Sequence, residues 1–227
     1  PQSGNPRPRM FRDAQSKALI NRFGFNSIGV EAFAENLEAW RHKKERSQNP
    51  LGVNIGKNKD TEDDAVDYVA NFKKVAALAD YVTINISSPN TPNLRDLQDR
   101  ERMAALIKAV TDARDEMAPN LPILVKMAPD VTEDQKQDIA SVMLESKAQG
   151  LIVSNTTLAR PDELPEEIAK EAGGFSGPAL FEPSTTLLAD MYRLTEGKVP
   201  LIGCGGVMSG QDVYEKIRAG ACLVQIY

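Results

Sequence analysis

The sequence predicts an α/β fold, a (β/α)8 barrel built on a parallel sheet. Six short apolar runs alternate with segments of helical periodicity along the 227-residue chain. The runs are almost continuously apolar, which is typical of strands buried on both faces of a parallel sheet. Nearly every run ends in polar side chains or glycines. A barrel draws on many strand ends at one face, whereas an open sheet concentrates its site at one switch point, so we favour the barrel.

The predicted strands are short and are followed by turn-forming or polar residues. They span residues 50–56, 81–84, 121–125, 150–153, 199–202 and 221–227. A complete barrel has eight strands and about 250 residues. Residues 1–27 are predicted to be a loop, and the chain stops directly on a strand at Tyr227. We therefore expect one barrel domain over residues 1–227, a fragment whose first two strands and last helix lie outside this sequence.

The helices are predicted from apolar residues that recur at i, i+3, i+4 and i+7. They span residues 31–46, 61–79, 101–117, 133–148, 184–194 and 210–219. Thr61 and Ser209 are predicted N-caps, and Thr132 with Gln135 fits a capping box. In the last helix, Val213 and Ile217 are expected to face inward.

Composition excludes several classes of function. The net charge of −5 argues against a nucleic-acid partner, and the basic run at 41–46 is interpreted as a solvated helix end. No run reaches the 18 apolar residues of a membrane span, and no signal peptide is visible. The single histidine, His42, removes histidine triads and most zinc sites, so no metal is expected. Cys204 and Cys222 are predicted to be buried thiols in a reducing compartment.

The strongest site signal lies where the second predicted strand ends. Residues 85–92 read Asn-Ile-Ser-Ser-Pro-Asn-Thr-Pro, which gathers hydroxyl and carboxamide groups in a turn-forming cluster. Taken alone, this segment could be an ordinary polar turn. Lys126 also follows a strand, and three interpretations stay open for it: a Schiff-base lysine, a fixed positive charge beside an electron-accepting cofactor, or a surface lysine with a buried stem.

Two glycine clusters follow in consecutive units of the predicted barrel. They are Gly-Gly-Phe-Ser-Gly at 173–177 and Gly-Cys-Gly-Gly at 203–206, the second before the helix that Ser209 caps. Paired glycines allow backbone N–H groups to turn toward an anion at a helix N-terminus. The clusters favour a cofactor or substrate that carries a phosphate.

The sequence resembles the dihydroorotate dehydrogenase family over nearly its whole length. The similar runs are Ile-Asn-Arg-Phe-Gly-Phe-Asn at 20–26, Gly-Val-Asn-Ile-Gly-Lys-Asn-Lys at 52–59, Asn-Ile-Ser-Ser-Pro-Asn-Thr at 85–91, Val-Lys-Met-Ala-Pro-Asp at 125–130, Ser-Asn-Thr-Thr at 154–157, Gly-Gly-Phe-Ser-Gly-Pro at 173–178 and Leu-Val-Gln-Ile-Tyr at 223–227. The resemblance implies an FMN-bearing barrel that oxidises dihydroorotate to orotate in pyrimidine synthesis.

The resemblance also implies roles for individual residues. Ser88 would be the catalytic base, with Thr91 and Phe25 in its proton relay. The implied substrate-binding residues are Asn21, Arg22, Phe23, Gly24, Phe25, Asn85, Asn90, Asn155 and Thr156. The implied FMN-binding residues are Asn54, Asn85, Lys126, Ser154, Ser176, Gly177, Gly205, Gly206 and Tyr227.

The branch of the family follows from one position. Class 1 enzymes carry a cysteine where this sequence has Ser88, so the chain is similar to class 2, the quinone-reducing branch. That branch implies a monomer that contacts the membrane surface through an N-terminal segment outside this sequence. It also implies a place at the bacterial inner membrane, on its cytoplasmic face, or at the mitochondrial inner membrane.

Two other functions remain open from the sequence. One is a phosphate-binding barrel aldolase that uses Lys126 as a Schiff base. The other is a barrel that binds orotate or flavin without turnover.

Overall fold

A parallel sheet of six strands forms the centre of the computed structural model, which describes residues 1–43, 48–91 and 93–227. The strands are β1 (Met10–Asp13), β2 (Ala18–Asn21), β3 (Gly52–Ile55), β4 (Tyr81–Asn85), β5 (Ile123–Met127), β6 (Gly150–Val153), β7 (Gly174–Ser176), β8 (Leu201–Cys204) and β9 (Leu223–Gln225). The helices are α1 (Val30–Arg41), α2 (Asp64–Val75), α3 (Arg100–Met117), α4 (Glu133–Glu145), α5 (Glu166–Ala169), α6 (Phe181–Leu194) and α7 (Gly210–Arg218).

The parallel sheet has the order β3-β4-β5-β6-β8-β9 and curls into half a barrel. Its outer face is apolar, and residues such as Val82, Val125 and Leu151 pack against the flanking helices in one core. The inner face carries polar groups. Lys126 on β5 reaches Gln225 on β9 with an Nζ–Oε1 distance of 3.5 Å, although two strands lie between them. A flat sheet would separate β5 from β9 by roughly 14 Å. The predicted α/β barrel class is confirmed.

A second, antiparallel sheet was missed by the sequence analysis. Strands β1 and β2 form a hairpin, and β7 pairs with β2, so the prediction of a loop over residues 1–27 is wrong. The hairpin turn is held by Asp13, whose Oδ2 accepts a hydrogen bond of 2.9 Å from the Ser16 backbone N–H. Each hairpin strand has four residues, too few to give a recognisable alternation next to a proline- and arginine-rich start.

Three predicted helix features meet different outcomes. The capping box of Thr132 and Gln135 is confirmed at the start of α4, and Ser209 caps α7. Thr61 is not an N-cap, because α2 begins at Asp64 and the Asp63 carboxylate accepts from the Ala65 N–H instead. The predicted helix 31–46 ends at Arg41 in the structure, and its positions 44–46 lie outside the described residues.

Two burial predictions are wrong. Ile217 is 43% exposed, and the neighbouring Lys216 takes the buried position on α7. This helix therefore turns a different face to the sheet than its apolar residues suggested. Cys204 is half-buried and Cys222 is exposed, so neither is a buried thiol. Among the described residues, no helix is long and apolar enough to cross a membrane.

Candidate active site

A cavity of about 320 Å³ lies at the carboxyl edge of the sheet, between the ends of β4 and β6 and the loop that follows β2. It is lined by Asn21, Phe23, Gly24, Phe25, Asn26, Asn85, Ser88, Pro89, Asn90, Asn155 and Thr156. These residues come from three segments that are far apart in the chain. The carboxyl ends of parallel strands meet at one edge, which is where barrel enzymes place their chemistry.

The floor of the cavity is a network of neutral polar side chains. Asn85 Oδ1 accepts hydrogen bonds from the backbone N–H and the hydroxyl of Ser87, at 3.2 and 3.1 Å. Asn155 Nδ2 donates to Ser87 Oγ at 3.0 Å, and Asn155 Oδ1 accepts from the Thr156 N–H at 2.8 Å. The network fixes the orientation of two carboxamides without placing a charge in the cavity.

Tyr68 anchors this floor from below. Its hydroxyl donates to the backbone oxygen of Asn85 at 2.8 Å, and its ring is fully buried in the main core. Burial raises the pKa of the Tyr68 phenol, so the group stays a neutral donor. The end of β4 is therefore held in place by a helix on the outer face of the sheet.

Ser88 lies in the wall of the cavity and is 8% exposed. Its Oγ accepts a hydrogen bond of 3.3 Å from the backbone N–H of Asn90. Asn90 Nδ2 in turn donates to Asn21 Oδ1 at 3.1 Å. The loop after β4 thus meets the end of β2 through two asparagines, next to the hydroxyl predicted to be the base.

Phe25 and Thr91 differ in their access to the cavity. Phe25 lines it, with a positive φ of 50° and a backbone oxygen that accepts from Gln2 Nε2 at 2.9 Å. Thr91 is buried directly after Asn90 but does not line the cavity.

Arg22 points away from the cavity, unlike its neighbours in the same loop. Its guanidinium forms an ion pair of 2.6 Å with Glu171 and lies 4.5 Å from the centroid of the Phe11 ring. Arg22 is predicted to bind substrate, but its side chain here ties the loop to the segment before β7.

Arg95 holds three strand ends together and was not singled out from the sequence. Its guanidinium donates to the backbone oxygens of Ser87 at 3.2 Å and Thr156 at 2.9 Å, and it pairs with Asp130 at 2.7 Å. Asp130 also accepts a hydrogen bond from the Thr157 hydroxyl. The loops after β4, β5 and β6 therefore share one cation behind the cavity.

Asn5 was also missed. Its Nδ2 donates to the backbone oxygens of Arg22 at 3.0 Å and Asn90 at 3.2 Å. Its position in a proline-rich segment gave no signal, because its partners are 17 and 85 residues away.

Lys126 and Asn54 extend from the inner face of the sheet on two sides of Asn85. Lys126 pairs in register with Asn85, so the two side chains stand next to each other at the sheet edge. Asn54 lines an adjoining groove of about 440 Å³ beside β3, which shares Phe25 and Asn26 with the cavity. Ser154 lies directly after β6 and is buried, with its hydroxyl bonded to the Asn155 oxygen at 3.1 Å.

The second glycine cluster packs on the segment that follows the first, because Gly205 and Gly206 lie against Leu180, Phe181 and Ser184. Gly177, Gly205 and Gly206 have positive φ angles of 136°, 114° and 71°. A Cβ on Gly206 would lie 2.2 Å from the Phe181 nitrogen, so the loop after β8 packs directly on the start of α6. Within the described chain, the N–H groups of Gly205 and Gly206 donate no hydrogen bond. Consecutive free N–H groups of this kind form an anion-binding concavity.

Two further residues are predicted to bind the cofactor, Ser176 and Tyr227. Ser176 ends β7, and its hydroxyl bonds to the Leu19 oxygen at 3.3 Å. Tyr227 follows β9 and is exposed.

A curled parallel sheet with polar side chains and a glycine cradle at its carboxyl edge defines a protein of the (β/α)-barrel class, with its site at the usual face. The family model "Dihydroorotate dehydrogenase" matches residues 1–227, and the chain belongs to this family. The family predicted from the sequence motifs is therefore confirmed.

Curated relatives support the same assignment. The chain is 49% identical to "Dihydroorotate dehydrogenase (quinone), mitochondrial" of Arabidopsis thaliana, and all of it aligns with 55% of that protein. It is 53% identical to "Dihydroorotate dehydrogenase (quinone)" of Rhizobium etli, of which it covers 62%, and 48% identical to the mitochondrial protein of Mus musculus, of which it covers 59%. These relatives fall in the quinone branch that Ser88 predicted.

Solved structures agree with the fold. The chain matches the crystal structure of DHODH from Eimeria tenella in complex with ferulenol, with a TM-score of 0.94 and 42% identity. The match covers 100% of this chain and 66% of that one. A ligand-free structure from the same organism matches with a TM-score of 0.94 and 43% identity, over 68% of its length. The chain thus spans between about half and two thirds of the proteins that it matches.

Proposed function

We propose that the full-length protein oxidises dihydroorotate to orotate in de novo pyrimidine biosynthesis, with FMN as the hydride acceptor and a quinone as the final oxidant. One observation carries the proposal: the cavity brings the hydroxyl of Ser88 together with four carboxamides at the sheet edge beside Lys126. These four carboxamides belong to Asn21, Asn85, Asn90 and Asn155, and Asn26 adds a fifth to the cavity lining.

The cavity suits a small polar ring. Dihydroorotate presents alternating N–H and C=O groups and one carboxylate, and a carboxamide can both donate to and accept from such an edge. Thr156 adds a hydroxyl, while Phe23, Gly24 and Phe25 close the side formed by the loop after β2. Because the asparagines are neutral, they orient the substrate without opposing the negative charge that develops in the reaction.

Ser88 is the proposed base for the proton on C5 of dihydroorotate. The Asn90 N–H that bonds to its Oγ holds the hydroxyl in the cavity wall and stabilises it as it loses a proton. Thr91 follows in the same loop and is the proposed next carrier of that proton. From Thr91 the proton would pass to solvent along a path that Phe25 borders.

The residues present fit FMN. When bound, FMN supplies an electron-accepting ring for the hydride from C6. Asn54, Asn85 and Lys126 lie on the inner face and edge of the sheet, Ser154 follows β6 with a buried hydroxyl, and the Lys126 ammonium stabilises negative charge that develops beside it. The unpaired N–H groups of Gly205 and Gly206 suit a phosphate, and we assign Gly177 to the same glycine cradle. Ser176 and Tyr227 complete the proposed cofactor set.

This proposal is favoured over the two alternatives from the sequence analysis. A Schiff-base aldolase would use Lys126 but gives no role to the carboxamides around Ser88. A binding module without turnover would have no need for the Ser88 hydroxyl in the cavity wall. The quinone-dependent relatives agree with the oxidoreductase.

The quinone determines the proposed location. Quinones are apolar and reside in lipid, so we place the full-length protein, as a monomer, at the inner membrane of a bacterium or a mitochondrion. An amphipathic N-terminal segment would lie in the interface and give the quinone a route to the flavin.

The test uses purified full-length protein. We expect denaturation to release one FMN per chain, dihydroorotate to bleach the flavin absorbance, and a quinone to restore it. Fumarate and NAD should not restore it. Release of FAD or of no flavin would contradict the cofactor, and efficient turnover with fumarate but not quinone would move the protein to class 1 despite Ser88.

A further inference from the structure

Lys216 is a buried lysine that the proposed reaction does not use. Its side chain is 0% exposed, on the face of α7 that packs against β8 and α6. The ammonium donates to Ser184 Oγ at 2.6 Å and lies 5.1 Å from the centroid of the Phe181 ring. Among the described residues, no carboxylate forms an ion pair with it. Burying an ammonium without an ion-pair partner is costly, so the buried position of Lys216 calls for an explanation.

The surroundings of Lys216 disfavour its charge when no anion is bound. Burial lowers the pKa of Lys216 to about 8. The charged or titratable groups that act on it are Cys204, at the end of β8, and Asp212, on the first turn of α7. The facing side of α6 presents only the Ser184 hydroxyl and the Phe181 ring. An additional negative charge nearby would offset this cost.

Ser184 connects Lys216 to the loop that contains Gly205. Its Oγ accepts from the Lys216 ammonium and lies 2.6 Å from the Leu180 oxygen, 3.1 Å from the Phe181 oxygen and 3.2 Å from the Gly205 oxygen, so its single proton is shared among three carbonyls. Because the Gly205 carbonyl points inward to Ser184, the N–H on the other side of that trans peptide, which belongs to Gly206, points outward. The same contact therefore aims a free N–H into the concavity and places a cation behind it.

We infer that Lys216, acting through Ser184, is a positioning residue of the phosphate cradle and supplies the counter-charge for the phosphate monoester of a bound FMN. The inference rests on the proposed function and goes further. It attributes the preference of the site for FMN over a flavin that lacks the phosphate to one buried cation.

The test compares FMN with riboflavin, which lacks the phosphate, on the deflavinated full-length protein. Lys216→Met keeps an unbranched side chain of similar length and removes the charge. We expect FMN to bind roughly 5- to 150-fold more weakly to this variant, the usual range for coupled sites, while riboflavin binds as it does to the wild type. Lys136→Met is the matched control, because Lys136 is also mostly buried but pairs with Asp190 at 2.6 Å, away from the cradle. It should keep the wild-type preference for FMN.

Two results would overturn the inference. One is an unchanged FMN affinity in Lys216→Met, and the other is an equal loss for FMN and riboflavin, which would mean a purely structural role. A wild type that binds no FMN would instead contradict the proposed function.

A second measurement needs no variant and applies if Lys216→Met does not fold. In the wild type, Lys216 loses its proton as the pH rises through its pKa of about 8, so the affinity for FMN should fall relative to that for riboflavin. The titration runs from about pH 7 to about pH 9, above the second pKa of the phosphate near 6. A constant ratio across this range would contradict the inference.

Discussion

Ser88 has no carboxylate or imidazole partner within the described chain, and its Oγ accepts one backbone hydrogen bond. Proton abstraction would therefore depend on how the Ser88 hydroxyl is positioned relative to the substrate. Ser88→Ala should slow flavin reduction by dihydroorotate about 10²- to 10⁴-fold, the range for loss of a general base. Stopped-flow absorbance of the full-length protein measures this rate. FMN content and unfolding should stay close to wild type because the change removes one oxygen.

Ser146→Ala is the control for this experiment, because Ser146 lies at the end of α4, far from the cavity. It should reduce flavin at the wild-type rate. A Ser88→Ala variant that also reacts at the wild-type rate would show that another group takes the proton.

At the scale of residues, the sequence identified the groups that line the cavity but not those that support them. Ser88 and Asn155 lie in the polar segments that follow β4 and β6, so the rule that parallel strands end at the site points to these segments, and the family resemblance singled out the two residues. Arg95 and Asn5 act on backbone oxygens up to 61 and 85 residues away. Such contacts depend on the packing of loops, and neither local periodicity nor motif spacing contains that information.

At the scale of elements, α4 shows how strongly a helix start can be specified. Thr132 Oγ1 accepts from the Gln135 N–H at 3.2 Å, and Gln135 Oε1 accepts from the Thr132 N–H at 2.9 Å. Thr132→Ala should lower the free energy of unfolding by about 0.5–2 kcal/mol, as for other lost N-caps. Chemical denaturation measures the difference.

Thr61→Ala is the matched control for the cap. Thr61 was predicted to cap α2, but in the structure its hydroxyl donates to Asp67 at 2.7 Å and Asp63 is the cap. We expect a smaller loss of stability from Thr61→Ala than from Thr132→Ala. An equal or larger loss would mean that the capping box contributes little.

The elements that the sequence predicted well are those with long apolar patterns. All six parallel strands and the six long helices occur, with ends that shift by a few residues. The hairpin of β1 and β2 was missed because four-residue strands give too little pattern. The buried face of α7 was predicted wrongly at Ile217. The buried position belongs to Lys216, whose side chain a hydrophobic pattern counts as polar.

At the scale of the whole molecule, the structure combines two sheets with separate cores. The main core joins the parallel sheet to its helices. The small sheet has its own cluster of Ala18, Ile20, Leu164 and Phe175. The two sheets are connected at the bridge between Thr157 and Phe175, where the N–H of each bonds to the oxygen of the other at 3.1 and 2.7 Å.

This division has a consequence for local unfolding. The small sheet buries fewer apolar side chains, so its amides should exchange with deuterium faster than those of β4 and β5 in the substrate-free, full-length protein. In the proposed site, orotate would contact Asn21 at the end of β2 and Phe25 in the loop after it, as well as Asn85 at the end of β4 and Asn155 just after β6, since all four line the cavity. Its binding should therefore slow exchange in β1 and β2, measured by mass spectrometry, while β5 changes little.

Equal exchange in both sheets, or no protection by orotate, would contradict this expectation. If it holds, the antiparallel sheet is a separate cooperative unit that opens while the half-barrel stays folded. Substrate binding and folding of the hairpin would then be coupled. A substitution that destabilises the hairpin would weaken substrate binding without contacting the substrate.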